Sequence, residues 1–325
     1  MISITVWPPR ILLSALLLSS LPAACAQAPP MPGPPPPSSP TDTPLGSGPL
    51  KVIMESDPGL PTHTLYHPVD LAALGSTKLP VVLWGEGGCA NAGNAFRHFD
   101  TEIASYGYIV LAIGPIVADI REVSMPPNEK LPVAVPIHTF APPKTHSSQL
   151  IDALDWIVAE NNRPASRFYH HIDVAKVAVM GQSCGGLQAL EAAIDPRITT
   201  VVAWNSGLLP EANTGAGGKM IDKSFLKQIH IPMAYISGDA QDVAFVNAND
   251  DFSRITSTPV IRAYERGVPH GGTYREYHGG EFGGVAVAWL NWQLKGDQKA
   301  ALMFKGSNCG LCVNPRWIVQ KKNMD

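Results

Sequence analysis

The chain has 325 residues, of which 45% are apolar and 16% charged, so it has enough apolar material for a packed core. This composition excludes a wholly disordered or fibrous protein. Its 24 basic and 27 acidic residues give a formal net charge of −3, so no basic surface for nucleic acid is predicted.

The first 26 residues have the pattern of a secretory signal peptide. A basic residue precedes the apolar run from Ile11 to Leu21, and Ala24 to Ala26 provide an A-x-A cleavage site. The run is too short to span a bilayer. We therefore predict a secreted or periplasmic protein that is cleaved after Ala26 and has no stable membrane insertion. An uncleaved anchor and a lipoprotein acylated on Cys25 are the alternatives, although Pro22 fits a lipobox poorly.

Residues 27–50 are predicted to form a proline-rich linker. Ten of the 23 residues from 28 to 50 are proline, and Ser, Thr and Gly make up most of the others. Such a segment cannot bury apolar surface and is typical of an extended polyproline-type tether. A ligand for a proline-binding partner is the alternative. The folded unit is therefore predicted over residues 51–325, as one domain.

Four cysteines remain if the signal peptide is removed, and an even number in an exported protein predicts two disulfides. They are Cys89, Cys184, Cys309 and Cys312. The C-x-x-C pair near the C-terminus is interpreted as a structural clip. A redox or metal pair is the alternative, but neither a βαβ unit after it nor a second Cys or His pair nearby supports that use.

Short apolar runs alternate with segments of helical spacing along the predicted domain. The predicted strands are Lys51 to Glu55, Thr62 to His67, Pro80 to Trp84, Tyr108 to Ile113, Val174 to Met180, Thr200 to Trp204, Pro232 to Ser237 and, as the last, Val260 to Glu265. The predicted helices are Ala92 to Ser105, His146 to Asn161, Leu187 to Ile194, Met220 to Gln228, Val243 to Ile255 and Gly284 to Leu294. This alternation predicts an α/β fold with a mostly parallel central sheet and helices on both faces. Its ligands should lie at the carboxyl ends of the strands.

Residues 115–144 form a long excursion with frequent prolines and no clear period. A loop of this length in a compact domain is usually functional. A lid or a wall of the site and a disordered tip are both open as interpretations, and the sequence favours neither.

The sequence Gly181-Gln-Ser183-Cys-Gly185 lies between a predicted strand and a predicted helix. It has the pattern of a nucleophile elbow, a turn so tight that the residues two before and two after the serine must be small. Such a turn lifts the serine hydroxyl out of the sheet, and the following helix directs its N-terminus at the site. A glycine-rich turn with a solvated serine is the structural alternative.

A serine hydroxyl becomes a good nucleophile when a base takes its proton and an acid orients that base. After an elbow of this kind the order along the chain is serine, acid and histidine. Asp239 and Asp242 both follow the strand ending at Ser237. We predict Asp242 as the acid, because it opens a helix from which a short loop can direct its carboxylate to the next strand. Asp239, which is suited to hold the turn beside Gly238, is the alternative.

The predicted base is His270, which follows the strand ending near Glu265. It lies nearer that strand end than His278, which we expect at the surface or facing substrate. The other eight histidines are scattered, so they are predicted to be solvent or core residues, and no metal site is predicted.

A developing acyl oxyanion needs two backbone N–H groups directed at it. We assign one to Cys184, the residue after the nucleophile, and the other to the turn from Glu86 to Cys89, with Cys89 as the named donor. That turn has no GK[ST] sequence, which makes phosphate binding the weaker interpretation. If Cys89 and Cys184 flank one pocket, a disulfide between them would clamp the two donors. Two small buried thiols are the alternative.

The set of Gly181-x-Ser183-x-Gly185, Asp242 and His270 resembles the α/β-hydrolase superfamily. The stretch from Thr101 to Val110, followed by the elbow, is similar to the branch of dienelactone hydrolases, bacterial cutinases and related polyester hydrolases. The resemblance covers most of residues 75–295 in the order of its motifs. It implies an α/β-hydrolase fold.

Two positions depart from that branch. Cys89 and the Ser206-Gly207 turn stand where the cutinases have aromatic residues that grip a polyester. Dienelactone hydrolases use a cysteine nucleophile, whereas this chain has Ser183 at that place.

The sequence thus predicts an exported, monomeric serine hydrolase that cleaves small or polymeric carboxylic esters through an acyl-enzyme, without a cofactor. A peptidase or amidase with the same three residues is one alternative. A binding protein that has the same fold but lacks the chemistry is the other. Acyl and alcohol specificity stay open.

Overall fold

The computed structural model describes residues 1, 39–120, 143–210, 213–214 and 220–324. The compact unit that contains these elements spans Ser38–Asp325. The predicted signal peptide and the first part of the predicted linker lie outside the described residues, apart from Met1. Most of the predicted excursion, residues 121–142, also lies outside them.

A sheet of nine strands forms the centre of this unit, in the order β1-β2-β4-β3-β5-β6-β9-β10-β11. The strands from β4 to β10 in this order run parallel, while β1 and β2 at one edge and β11 at the other pair antiparallel. A two-residue pair, β7 and β8, lies apart from it. The bounds are β1 Val52–Glu55, β2 His63–Pro68, β3 Leu79–Gly85, β4 Ile109–Ile113, β5 Ile172–Gln182, β6 Thr200–Trp204, β7 Asn213–Thr214, β8 Met220–Ile221, β9 Met233–Gly238, β10 Val260–Glu265 and β11 Trp317–Lys322.

Helices cover both faces of the sheet, and each face has its own apolar core. In β3, Val82 and Trp84 belong to the core beneath α1 and α5, whereas Val81 and Leu83 belong to the core beneath α2, α3 and α4. This burial on both sides explains why the central strands are continuous apolar runs in the sequence. The helices are α1 Arg97–Ser105, α2 Ser148–Asn162, α3 Cys184–Ala192, α4 Phe245–Arg254, α5 Gly280–Lys295, α6 Gln298–Ala301 and α7 Gly310–Val313. The predicted α/β architecture is confirmed.

Several predicted helices differ from the structure, among them α3, which begins at Cys184 rather than Leu187, and α5, which begins at Gly280 rather than Gly284. Helix α1 begins at Arg97 rather than at Ala92, because the side chain of Asn94 bonds to the backbone of Pro40 and Val117 and holds the preceding segment in turns. The segment predicted as a helix from Met220 starts with strand β8. It continues as a 3-10 helix over Lys223–Gln228.

Strand β11 was not predicted, and β10 is therefore not the last strand. Residues 317–322 pair antiparallel with β10 over six residues. As an edge strand, β11 needs fewer apolar side chains than a central one, and its sequence ends in Gln320, Lys321 and Lys322. A search for buried apolar runs does not detect such a strand.

The end of the predicted linker packs on the domain. The backbone N–H of Ser47 donates to Glu102 Oε2 (2.7 Å), and the N–H of Gly48 donates to Ser105 Oγ (3.0 Å). Both partners lie on α1, so the compact unit begins before residue 51.

The structure contains both predicted disulfides, Cys89–Cys184 and Cys309–Cys312. The second closes the short helix α7, where Cys309 Sγ also accepts from the N–H of Cys312 (3.1 Å). None of the described helices combines the length and apolar character that crossing a membrane requires.

Candidate active site

Ser183 occupies the sharp turn between β5 and α3, where its backbone has a φ of 55°. Its N–H donates to the carbonyl of Trp204 (2.9 Å), and Ser206 Oγ donates to its carbonyl (2.7 Å). The neighbouring strand β6 therefore holds the turn on both sides. Ser183 and the following Cys184 are partly exposed, whereas Gln182 and Gly185 are buried, so the turn presents the hydroxyl at the surface of the sheet end.

The two glycines of the motif are required by close backbone contacts. A Cβ on Gly185 would lie 2.0 Å from the carbonyl oxygen of Gly85, and one on Gly181 would lie 2.3 Å from that of Gly185. The elbow thus packs directly on the end of β3. Any larger residue would push the two strand ends apart.

The structure brings Ser183, His270 and Asp242 into one hydrogen-bonded series. His270 Nε2 lies 2.8 Å from Ser183 Oγ, and His270 Nδ1 lies 2.6 Å from Asp242 Oδ1. Because a carboxylate only accepts, Nδ1–H donates to Asp242 and the lone pair of Nε2 faces the serine hydroxyl. The imidazole is thereby held in the tautomer that can take the serine proton.

Asp242 accepts a hydrogen bond at each of its four lone-pair positions. Oδ1 accepts from His270 and from the N–H of Ala244 (2.9 Å), and Oδ2 accepts from Asn205 Nδ2 (2.7 Å) and from the N–H of Gly238 (3.2 Å). Burial raises the pKa of Asp242, but the hydrogen bonds and charge of His270, together with the other donors, outweigh burial and lower it. The group is therefore an ionised carboxylate in the fold at neutral pH.

Asp239 does not reach His270. Its Oδ2 accepts from the N–H of Gly267 (2.8 Å) and its Oδ1 from the N–H of Gln241 (3.0 Å). It therefore ties the loop after β9 to the loop after β10, and only Asp242 of the two carboxylates contacts the imidazole. His278 lies away from the elbow, with its Nδ1 3.3 Å from Glu102 Oε2 on α1.

The predicted oxyanion turn lies at the end of β3, as a 3-10 turn over Gly87–Cys89. The disulfide joins its last residue to Cys184, with 5.1 Å between the two Cα atoms. The N–H of Cys89, however, already donates to the carbonyl of Glu86 within the turn (3.1 Å). The structure thus disfavours Cys89 as the second donor. The N–H groups of Gly87 and Gly88 precede it in the same turn, and a side chain at Gly88 would meet only open space.

Hydrogen bonds attach this turn to the rest of the site. Thr145 Oγ1, next to α2, donates to the carbonyl of Cys89 (3.0 Å) and accepts from Gln188 Nε2 of α3 (3.0 Å). Gln182, directly before the nucleophile, donates from Nε2 to the carbonyl of His270 (2.9 Å). These contacts join the oxyanion turn, the elbow and the histidine loop.

Two buried carboxyl groups lie behind the oxyanion turn. Glu86 and Asp100 are both fully buried. Burial raises the pKa of each, and for Glu86 the nearby Asp100 carboxyl raises it further. At neutral pH, burial therefore favours the protonated, uncharged form of this pair.

Sequence reasoning missed Asn205, Tyr274, Gln182 and Thr145. Gln182 occupies a variable position of the elbow motif and the other three belong to no short motif, and each of the four meets its partner across a long separation in the chain. The amide of Asn205 directly after β6 was the one detectable signal, because polar residues at the end of a parallel strand face the ligand side of the sheet. Among the described residues, no group of three or more His, Cys, Asp or Glu side chains is placed to hold a metal ion.

A family model described as PETase: PET hydrolase-like matches residues 133–216. The matched segment contains the elbow, α3 and β6, and it ends before Asp242 and His270. A search of curated proteins finds no match.

Proposed function

We propose that the chain cleaves carboxylic esters with Ser183 as nucleophile, because the PET hydrolase-like family model matches the segment that contains its elbow. The hydrogen-bonded series from Ser183 through His270 to Asp242 is the observation that supports this proposal most directly. An exposed hydroxyl, a correctly oriented imidazole and a buried carboxylate are what acyl transfer requires.

In the proposed mechanism His270 Nε2 takes the proton of Ser183 as the hydroxyl oxygen attacks the acyl carbon. Asp242 stabilises the imidazolium, which then protonates the leaving alcohol. The resulting acyl-enzyme is hydrolysed by a water that His270 activates in the same way. No step requires a group from outside the chain other than water.

We assign backbone amides to stabilise the negative charge that develops on the acyl oxygen. The N–H of Cys184 opens α3 and belongs to the first turn, whose N–H groups have no partner within the helix. For the second donor we propose Gly88, with Gly87 as the other candidate, in place of Cys89. Each donor of this kind contributes about 3 kcal/mol to stabilising the transition state.

Export is part of the same proposal. Two disulfides are typical of proteins that fold in an oxidising compartment. The predicted cleavage after Ala26 would be checked by N-terminal sequencing of the exported form. A mature chain that begins at Cys25 would show a lipoprotein instead.

The first prediction concerns Ser183→Ala. We expect this variant to lose turnover of a short-chain aryl ester by about 10⁴-fold or more while keeping the wild-type melting temperature, because the nucleophile is removed without a change in packing. Activity close to that of the wild type would refute the assignment.

The alternatives are separated by two further measurements. A fluorophosphonate should label the wild type at Ser183 and leave Ser183→Ala unlabelled, whereas a non-catalytic binding protein would not react. An ester panel from short aryl to polymeric substrates, run beside a matched anilide, distinguishes an esterase from an amidase.

A further inference from the structure

We propose that Asn205 and Tyr274 are positioning residues that hold the Asp242 carboxylate in the orientation required by His270. This inference rests on the proposed function, since it extends the series from Ser183 to Asp242 by two residues. Neither side chain contacts the nucleophile, so both would act through Asp242.

Asn205 has the geometry of a residue built for this contact. It is fully buried directly after β6, and its φ of 42° is a backbone conformation that a non-glycine residue rarely adopts. Its N–H donates to the carbonyl of Ile236 in β9 (2.7 Å), and its Nδ2 donates to Asp242 Oδ2 (2.7 Å). The unusual backbone directs the amide across β9 toward the carboxylate.

Tyr274 holds the other end of the Asn205 amide. Its hydroxyl donates to Asn205 Oδ1. If the amide were reversed, Oδ1 would face the carboxylate oxygen and the NH₂ group would face the phenol. Because a carboxylate only accepts, Nδ2 must face Asp242, and the hydroxyl of Tyr274 then donates to Oδ1 and holds the amide in that orientation.

The phenol itself has a fixed position. Its ring is fully buried and packs edge-on against Phe96, Phe99 and Phe282, with ring centroids 5.0, 5.2 and 5.3 Å away. On another side Gly272 lies so close that a Cβ there would come within 2.2 Å of the ring. Rotation of Tyr274 is thereby blocked, and its hydroxyl is a rigid reference point for Asn205.

The bond from Asn205 orients the Asp242 carboxylate. Among the described residues, Oδ2 accepts from Asn205 and, over a longer distance, from Gly238, while Oδ1 must meet His270. Loss of the Asn205 bond would let the carboxylate rotate about its terminal torsion, which is broad in the absence of such partners. The imidazole would then be misaligned with Ser183, while the elbow and the oxyanion turn would be unchanged.

The test compares Tyr274→Phe and Asn205→Ala with Tyr108→Phe as a matched control. Tyr108 is also buried and its hydroxyl also donates to an asparagine, Asn291 Oδ1 (2.8 Å), but Tyr108 lies directly before β4, at the amino end of that strand, and Asn291 lies on α5. We expect Tyr274→Phe to lower kcat on an aryl ester about five- to tenfold and Asn205→Ala at least tenfold, with KM within twofold. Tyr108→Phe should leave both constants near the wild-type values.

The same substitutions are then made in an Asp242→Ala background. If Asn205 and Tyr274 act through the carboxylate, each should lower the residual kcat by less than twofold there, because the group they position is absent. An effect of full size in that background, or a wild-type kcat for both single variants, would overturn the inference. Melting temperatures show which variants are folded.

Failure of this inference is distinguishable from failure of the proposed function. An active Ser183→Ala would refute the proposed function, whatever the other variants do. An inactive Ser183→Ala together with fully active Asn205→Ala and Tyr274→Phe would refute the positioning role alone.

Discussion

Three residues around the candidate site have a positive φ although they are not glycine. Cys89, Ser183 and Asn205 have φ values of 47°, 55° and 42°. They directly follow or lie just beyond the ends of β3, β5 and β6, which are adjacent in the sheet. Such conformations are costly and persist where surrounding structure holds them, often at active sites. Here the disulfide and the hydrogen bonds of Ser206 and Ile236 provide that support.

At this scale the choice between the two carboxylates leads to a second prediction. Asp242→Asn should lower kcat by about 10⁴-fold, because an amide can hold the imidazole in the wrong tautomer. Asp239→Asn should keep kcat within about fivefold, since its side-chain oxygen can still accept from the backbone of the adjacent loop. Steady-state kinetics on one aryl ester compares the two. The reverse ranking would show that Asp239 is the acid.

A disulfide and a side-chain hydrogen bond link the loops at the strand ends to one another. The Cys89–Cys184 disulfide joins the turn after β3 to the start of α3, and Gln182 joins the elbow to the loop after β10. The disulfide closes a chain segment of 95 residues, whereas Cys309–Cys312 closes one of three. The two bonds should therefore differ both in stabilisation and in their effect on activity.

A third prediction follows from that difference. The double variant Cys89→Ala/Cys184→Ala should lose about 4 to 5 kcal/mol of unfolding free energy by the loop-entropy estimate, against about 2 kcal/mol for Cys309→Ala/Cys312→Ala. Only the first should also lower kcat, by tenfold or more, because the turn that carries the second oxyanion donor loses its connection to Cys184. Urea unfolding and kinetics measure both. Equal kcat values for the two variants would contradict the clamp.

In the described part of the chain, the nine-stranded sheet lies between two apolar cores, and some polar residues are buried beside them. His63 on β2 is fully buried, with Nε2 3.0 Å from the carbonyl of Gln149 on α2. Burial lowers the pKa of His63 to about 4. The hydrogen bond to Gln149 raises the pKa, but its effect is smaller than that of burial. The fold therefore holds this histidine in its neutral form.

A fourth prediction concerns stability against pH. The folded pKa lies below the ordinary value near 6.5, so the unfolded chain takes up the proton first as the pH falls. The stability that neutral His63 contributes to the fold is fully present above pH 6.5 and is lost as the pH falls toward 4. By pH 4.5 about 2 to 3 kcal/mol of it is lost. His63→Gln should reduce the difference in unfolding free energy between pH 7.5 and 4.5 by that amount. His230→Gln, which changes an exposed histidine, should leave it unaltered.

Local sequence patterns predict some elements of this fold and not others. The central strands and most helices were predictable because burial on both faces makes apolar runs, and the elbow because a tight turn demands glycines at fixed spacing. Strand β11 was not, since an edge strand with one polar half lacks such a run. Helix α1 starts late because Asn94 bonds to residues far along the chain.

By itself, the amino-acid sequence determined the α/β class, the position of Ser183 on its turn and the order of acid and histidine after it. These follow from local sterics and from periodicity, which neighbouring residues carry. Only the tertiary structure decided that Asp242 rather than Asp239 meets His270, that the Cys89 amide is occupied, and that Tyr274 and Asn205 extend the series. Each of these depends on hydrogen bonds between separate strand ends, and their geometry exists only once the sheet brings those ends together.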